Sequence, residues 1–208
     1  FGSRHLFGSR LYRLSAGWLH SSPEPRPLSG RAREMAGRAR PNVLITGTPG
    51  VGKTTFSEAL VASTGLNHLE VGKLVRERKL YREWDDERNC SIFDDEMVCD
   101  ELEPILEAGG CLVDFHSSAF LQDDWFDLVV VLRADTSTLY GRLEKRHYAE
   151  AKIQENVEAE IFQTCLDEAR EAFEEGSVEI MELPNDNQIH LEAALERVRH
   201  FITGYVPT

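Results

Sequence analysis

The residues Gly47-Thr48-Pro49-Gly50-Val51-Gly52-Lys53-Thr54 combine glycines, a lysine and a hydroxyl at the spacing of a phosphate-binding loop. Glycines let backbone N–H groups turn inward around a phosphate, and the positive end of a following helix adds to their pull. At this spacing Lys53 reaches the β- and γ-phosphates of a nucleotide, and the Thr54 hydroxyl can hold Mg²⁺. A metal-bound nucleotide calls for a second acidic anchor at the end of a neighbouring strand. Asp114 closes the run Cys111-Leu112-Val113, and in an extended chain His116 points to the same side two residues later. Asp114 reads as a metal anchor or a turn-capping residue, and His116 as a group that positions a nucleophile or as a hydrogen-bonded loop histidine. Arg142 and Arg146 stand four apart, on one helix face, where they form either a polyphosphate clamp or part of a solvated surface beside Glu144 and Lys145. Arg76 follows the second strand and could hold an acceptor's phosphate.

These groups need elements to bring them together. Val43-Leu44-Ile45 is a short, β-branched run of the kind found in strands buried on both faces, and 54–64 reads as a helix stopped by Gly65. Further strands are expected at 66–71, 111–115, 128–132 and 178–183. Helices are expected at 95–108, 136–146, 153–175 and 190–202, with Pro104 kinking or shortening the first of these. Alternating strands and helices imply an α/β domain with helices on both faces of a parallel sheet and right-handed crossovers. The acidic stretch 155–175 reads as a solvated face with Ile161, Phe162 and Leu166 turned to the core.

Composition bounds the partners. The chain has 208 residues, 41% hydrophobic and 28% charged, which suits one globular domain, and no apolar run is long enough for a membrane span. Four cysteines show neither zinc spacing nor disulfide density, so a reducing compartment is expected. Residues 1–40 hold eight arginines and two glutamates, +6. With the whole chain at −13, residues 41–208 carry −19. That field repels nucleic acid, and it belongs either to a soluble acidic enzyme or to a surface selected for a basic protein partner. The Arg-, Ser-, Gly- and Pro-rich stretch 1–40 is expected to be a disordered extension. Its composition fits either a mitochondrial transit segment or, given Phe1 and a first methionine at Met35, a non-native upstream sequence over residues 1–34.

From Pro41 onward the sequence resembles the adenylate kinase isoenzyme six family of coilin-interacting nuclear ATPases, whose yeast relative assists small-ribosomal-subunit assembly. The resemblance rests on the segment 41–55, on Val-Asp-Phe-His at 113–116, on 129–146 from Val129 to Arg146, and on Asn156, Glu160, Ile161 and Phe162. It implies a nucleoside-monophosphate-kinase fold with a five-stranded parallel sheet and helices on both faces, an acceptor-binding insert near 70–93 and a short lid near 145–155. It further implies phosphoryl transfer from Mg-ATP to AMP, with ATPase activity alongside. An alternative is an ATP-dependent assembly factor acting on a basic small-subunit ribosomal protein, with little kinase activity. Carried over by position, Gly50, Gly52, Lys53, Thr54 and Thr55 hold ATP, Arg146 closes on its phosphates, Arg76 faces the acceptor, and Asp114 and His116 serve metal and catalysis. The implied location is nucleus and cytoplasm, or the mitochondrion if residues 1–34 are a transit segment. The family pattern is broken at Lys73, where Asp is expected, at Ala119 to Gln122, at Asn187 and at His147, which replaces a lid glycine.

Overall fold

The computed structural model describes residues 38–85, 90–173 and 178–207, with only the backbone of 82–85 and 90–93. Residues 1–37 lie outside the described residues, and so does the expectation of disorder placed on them. Arg38 and Arg40 fall inside and are tied to the domain. Arg38 bonds the Asp124 carbonyl and the Asp127 carboxylate, and Arg40 bonds the carbonyls of Thr64 and Gly65.

The core is a five-stranded parallel sheet in the order β2-β5-β1-β6-β7, formed by β1 (Val43–Thr46), β2 (Asn67–Glu70), β5 (Cys111–Asp114), β6 (Leu128–Arg133) and β7 (Glu179–Pro184). Strands covered on both faces bury every side chain, and β1 and β5 do so at each position. The pleat then sorts them into two cores. Leu44, Val113, Val129 and Val131 face one layer, with Val71 and Val75 of α2 (Val71–Arg78), Leu102 and Leu106 of α3 (Asp95–Glu107), and Leu166 and Ala169 of α6 (Thr164–Ala172). Ile45, Leu112, Val130 and Leu132 face the other. There they meet Phe56 and Leu60 of α1 (Lys53–Thr64), Leu139 and Leu143 of α4 (Thr136–Lys145), Ile153 of α5 (Glu150–Ile161), and Ala194 and Val198 of α7 (Gln188–Gly204).

Three elements differ from expectation. The second strand stops at Glu70, and Val71 already begins α2, followed by an antiparallel hairpin of β3 (Tyr81–Asp85) and β4 (Cys90–Phe93). The helix expected over 153–175 is two helices, broken at Gln163, whose φ of 57° lies in the left-handed region. Pro104 neither ends nor prevents α3, which runs on to Glu107. The segment 145–155 is the end of α4, the turn Arg146–Ala149 and the first turns of α5.

Candidate active site

β1 delivers the chain into the phosphate-binding loop at its C-terminal end, between β5 and β6, where ligands bind in open α/β sheets. The loop needs its glycines for space as well as for rotation. Gly52 has φ 103°, and a Cβ there would stand 2.6 Å from Asn185 Nδ2. Gly47, at φ 138°, would bring a Cβ onto the Leu132 carbonyl oxygen. With the loop so turned, α1 starts at Lys53, and its N-terminus opens into a cleft lined by Gly50, Gly52, Lys53, Thr54 and Thr55. Half-buried Glu70 and Gly72, buried Asp114, Phe115 and His116, and exposed Arg146 complete the lining. The cleft encloses about 190 Å³.

Asp114 sits at the register where β5 meets both neighbours, opposite Ile45 and Glu70. Its Oδ2 accepts a hydrogen bond from Thr54 Oγ1 at 3.2 Å. Burial pushes the Asp114 carboxyl above its ordinary value, while the nearby Lys53 ammonium and the Thr54 hydroxyl pull the other way. Burial lowers the Lys53 pKa, against the attraction of Asp114. Lys53 Nζ donates to the Gly47 carbonyl at 2.6 Å and to that of Thr48 at 3.3 Å. The sheet bonding extends one residue past β5, through Phe115 N to the Ile45 carbonyl at 3.1 Å, so His116 emerges on the same side as Asp114. Its ring lies 4.5 Å from that of Phe115.

The loop after His116 is fixed by Glu168 of α6. One carboxylate oxygen accepts from Ser117 Oγ at 2.6 Å, Ser118 N at 2.6 Å and Ala119 N at 3.0 Å. Cys165, one turn earlier, contacts the Thr48 hydroxyl and the His116 carbonyl, and burial pushes its thiol up to about 12. Thr48 also donates to Glu160 of α5. The acidic stretch read as a solvated face therefore supplies two buried or shielded carboxylates beneath the site.

Lys53, Thr54, Thr55, Asp114, His116, Gly50, Gly52 and Arg146 thus converge on one cleft. Arg142 does not join them. Its guanidinium donates to the carbonyls of Val51 at 3.0 Å, Asn185 at 2.8 Å and Asp186 at 2.9 Å, bracing the outside of the loop. The i,i+4 spacing misleads because α4 ends between the two arginines, with Arg146 the C-cap. Arg76 lies on α2, half-exposed and 3.8 Å from Glu70 Oε1, and Lys73 stands 3.8 Å from Glu77 on the same helix. Asn187 caps α7 by accepting from His190 N at 3.0 Å. His147 takes φ 58°, which accounts for a glycine at that place in the family pattern. Sequence reasoning missed Asn185, whose Nδ2 donates to the Val51 carbonyl at 2.8 Å, and the joint work of Glu160 and Glu168. For the last two the signal was present as acids eight residues apart beside core residues, but it is indistinguishable from a solvated helix without the sheet beneath.

Residues 43–163 match the family model described as an AAA domain. The chain is 44% identical over 148 residues to an adenylate kinase isoenzyme 6 homolog of Dictyostelium discoideum, covering 71% of this chain and 83% of that one. Homologs of the same name are 43% identical in Schizosaccharomyces pombe, over 81% of this chain and 95% of that one, and 43% identical in Caenorhabditis elegans, over 77% and 88%. Among solved structures, shikimate kinases from Bacteroides thetaiotaomicron (TM-score 0.55, 15% identity, 79% of this chain and 99% of that one) and Acinetobacter baumannii (TM-score 0.56, 12% identity, 81% and 97%) share the fold. With a phosphate-binding loop, an acidic strand end and an exposed arginine on one cleft, and with relatives matched along most of their length, the chain belongs to the adenylate kinase isoenzyme 6 family and is a nucleotide kinase.

Proposed function

We propose that the protein transfers the γ-phosphoryl group of Mg-ATP to AMP, and to water when no acceptor is in place. The observation that carries the reading is the single cleft that sets Lys53, Thr54, Asp114 and Arg146 against Glu70 and Gly72 of the insert side. Phosphoryl transfer asks a protein for alignment, charge neutralisation and exclusion of water. The loop amides and Lys53 bind the transferred group's oxygens, and Arg146 approaches them. His116 orients the attacking oxygen, and Arg76 meets the acceptor's phosphate.

The donor chemistry fits Mg²⁺. Thr54 Oγ1 and Asp114 Oδ2 are hard oxygens, and among the described residues no group of three or more His, Cys, Asp or Glu forms a metal cage. Mg²⁺ is held by one or two such protein oxygens together with water and substrate phosphates. When bound, it neutralises charge on the phosphates.

Incubating the full chain with Mg-ATP, with and without AMP, and quantifying ADP and phosphate tests the assignment. ADP in excess of phosphate only when AMP is present is expected. Phosphate release that ignores AMP favours the second reading, a nucleotide-dependent assembly factor for a basic small-subunit ribosomal protein. That reading draws support from the charge of −19 on 41–208 and from Ile161 and Phe162, which stand exposed at the α5–α6 corner instead of turning inward. Such a factor would act in nucleus and cytoplasm. No product at all from protein that still binds ATP would sink both enzymatic readings.

A further inference from the structure

The second residue of the phosphate-binding loop is held from beneath by a carboxylate for which the transfer chemistry has no use. Thr48 is 1% exposed and donates its hydroxyl to Glu160 Oε2, and Glu160 is itself 3% exposed. The other carboxylate oxygen accepts from Arg133 Nε at 2.5 Å and from Ala134 N at 3.1 Å. Arg133 Nη2 also donates to the Glu160 carbonyl at 2.9 Å, and its Nη1 meets Glu182 of β7 at 2.9 Å. One side chain on α5 therefore joins the loop after β1 to the end of β6. The same helix follows the turn that begins with Arg146. A carboxylate whose two oxygens are engaged by charged and backbone donors in a buried setting is rigid, and removing a partner leaves a buried polar group unmet.

We propose that Glu160 is a positioning residue for phosphoryl transfer. It fixes Thr48, and through it the curvature of the phosphate-binding loop, from the helix that carries the lid. The loop is thereby held in its phosphate-binding shape before a nucleotide arrives, and the loop and the base of the lid hold together as one unit. The proposal rests on the reading of this loop as the Mg-ATP site.

The test measures Mg-ATP affinity by calorimetry, together with KM and kcat, on the full chain carrying Thr48→Val, Glu160→Gln, both together, Thr48→Ser and Glu182→Gln. Thr48→Val and Glu160→Gln are each expected to raise the Kd for Mg-ATP about tenfold, the loss of one buried hydrogen bond to a charged group. The double variant is expected to be no weaker than Glu160→Gln alone, because both remove the same link. Thr48→Ser, which keeps the hydroxyl, restores most of the affinity lost by Thr48→Val. Glu182→Gln removes the other carboxylate on Arg133 without touching Thr48, and its Kd is that of the unaltered chain. Additive losses, an equal loss in Glu182→Gln, or failure of serine to rescue would each overturn the proposal. Should Glu160→Gln fail to fold, the valine and serine variants of Thr48 decide the matter alone. If the unaltered chain binds no Mg-ATP, the assignment of the loop falls instead, and that result is separate from unchanged affinities in the variants.

Discussion

Asp114 bears two opposed demands, one from folding and one from chemistry. Burial raises its carboxyl pKa even though Lys53 and Thr54 favour the charged form. A folded-state value above the unfolded one means that the folded chain holds the proton more tightly, so this group's contribution to stability falls as pH rises from its ordinary 3.8 upward. Asp114→Asn should therefore raise the thermal midpoint at pH 7, each kcal/mol gained being worth roughly 2–4 °C in a domain of this size. The gain should shrink as the scan is repeated at lower pH, and phosphoryl transfer should be lost. An Asp114→Asn variant less stable than the parent at pH 7 would show the carboxylate to be a net structural asset. That Lys53, Asp114 and His116 share a cleft was legible in the sequence because each is set by distance along the chain from a strand end or a loop, whereas Arg146 was placed there only by the family resemblance. Arg142 and Glu160 were not legible, because their partners lie far away in sequence: Val51 and Asn185 for one, Thr48 and Arg133 for the other.

Helix α6 is preceded by its N-cap Gln163, in a left-handed conformation that the sequence does not advertise with a glycine or a proline. The apolar period of 153–173 reads through the break because Ile153, Leu166, Ala169 and Phe173 are all buried, although they serve different layers of the sheet. On either side of the break, α5 presents Glu160 to Thr48 and α6 presents Glu168 to the 117–119 loop. Left-handed backbone disfavours a side chain with a Cβ, so Gln163→Gly should raise stability by up to about 1 kcal/mol in denaturant titration, and Gln163→Val should lower it. The α/β alternation and the five parallel strands were readable from apolar runs of the right length. The β3–β4 hairpin and α2 were not: the stretch after the second strand was read only as an acceptor-binding insert, and α2 is eight residues long with two buried residues, Val71 and Val75.

Across the molecule, residues near both ends of the described chain, Arg38 and Tyr205, meet at Asp127, just before β6 and outside the cleft lining. Its carboxylate accepts from Arg38 at 3.2 Å, from Asn42 N at 2.8 Å and from Tyr205 Oη at 3.0 Å. Burial, with the same carboxylate adding to it, pushes the Tyr205 pKa up. Asp127→Asn should cost about 1–3 kcal/mol of unfolding free energy while leaving Mg-ATP affinity as it was, a combination that calorimetry and thermal melts report together. Stability thus gathers at one end of the sheet and chemistry at the other, with Asp114 and the phosphate-binding loop on the strand ends where the parallel sheet opens. The central claim is that this cleft performs phosphoryl transfer with Lys53 at its centre. The most direct measurement follows label from γ-labelled Mg-ATP into ADP in the presence of AMP, comparing the full chain with its Lys53→Ala variant. Label should reach ADP with the unaltered chain, and Lys53→Ala should lower kcat/KM at least about a hundredfold while the chain still folds. Transfer undiminished in Lys53→Ala would contradict the account.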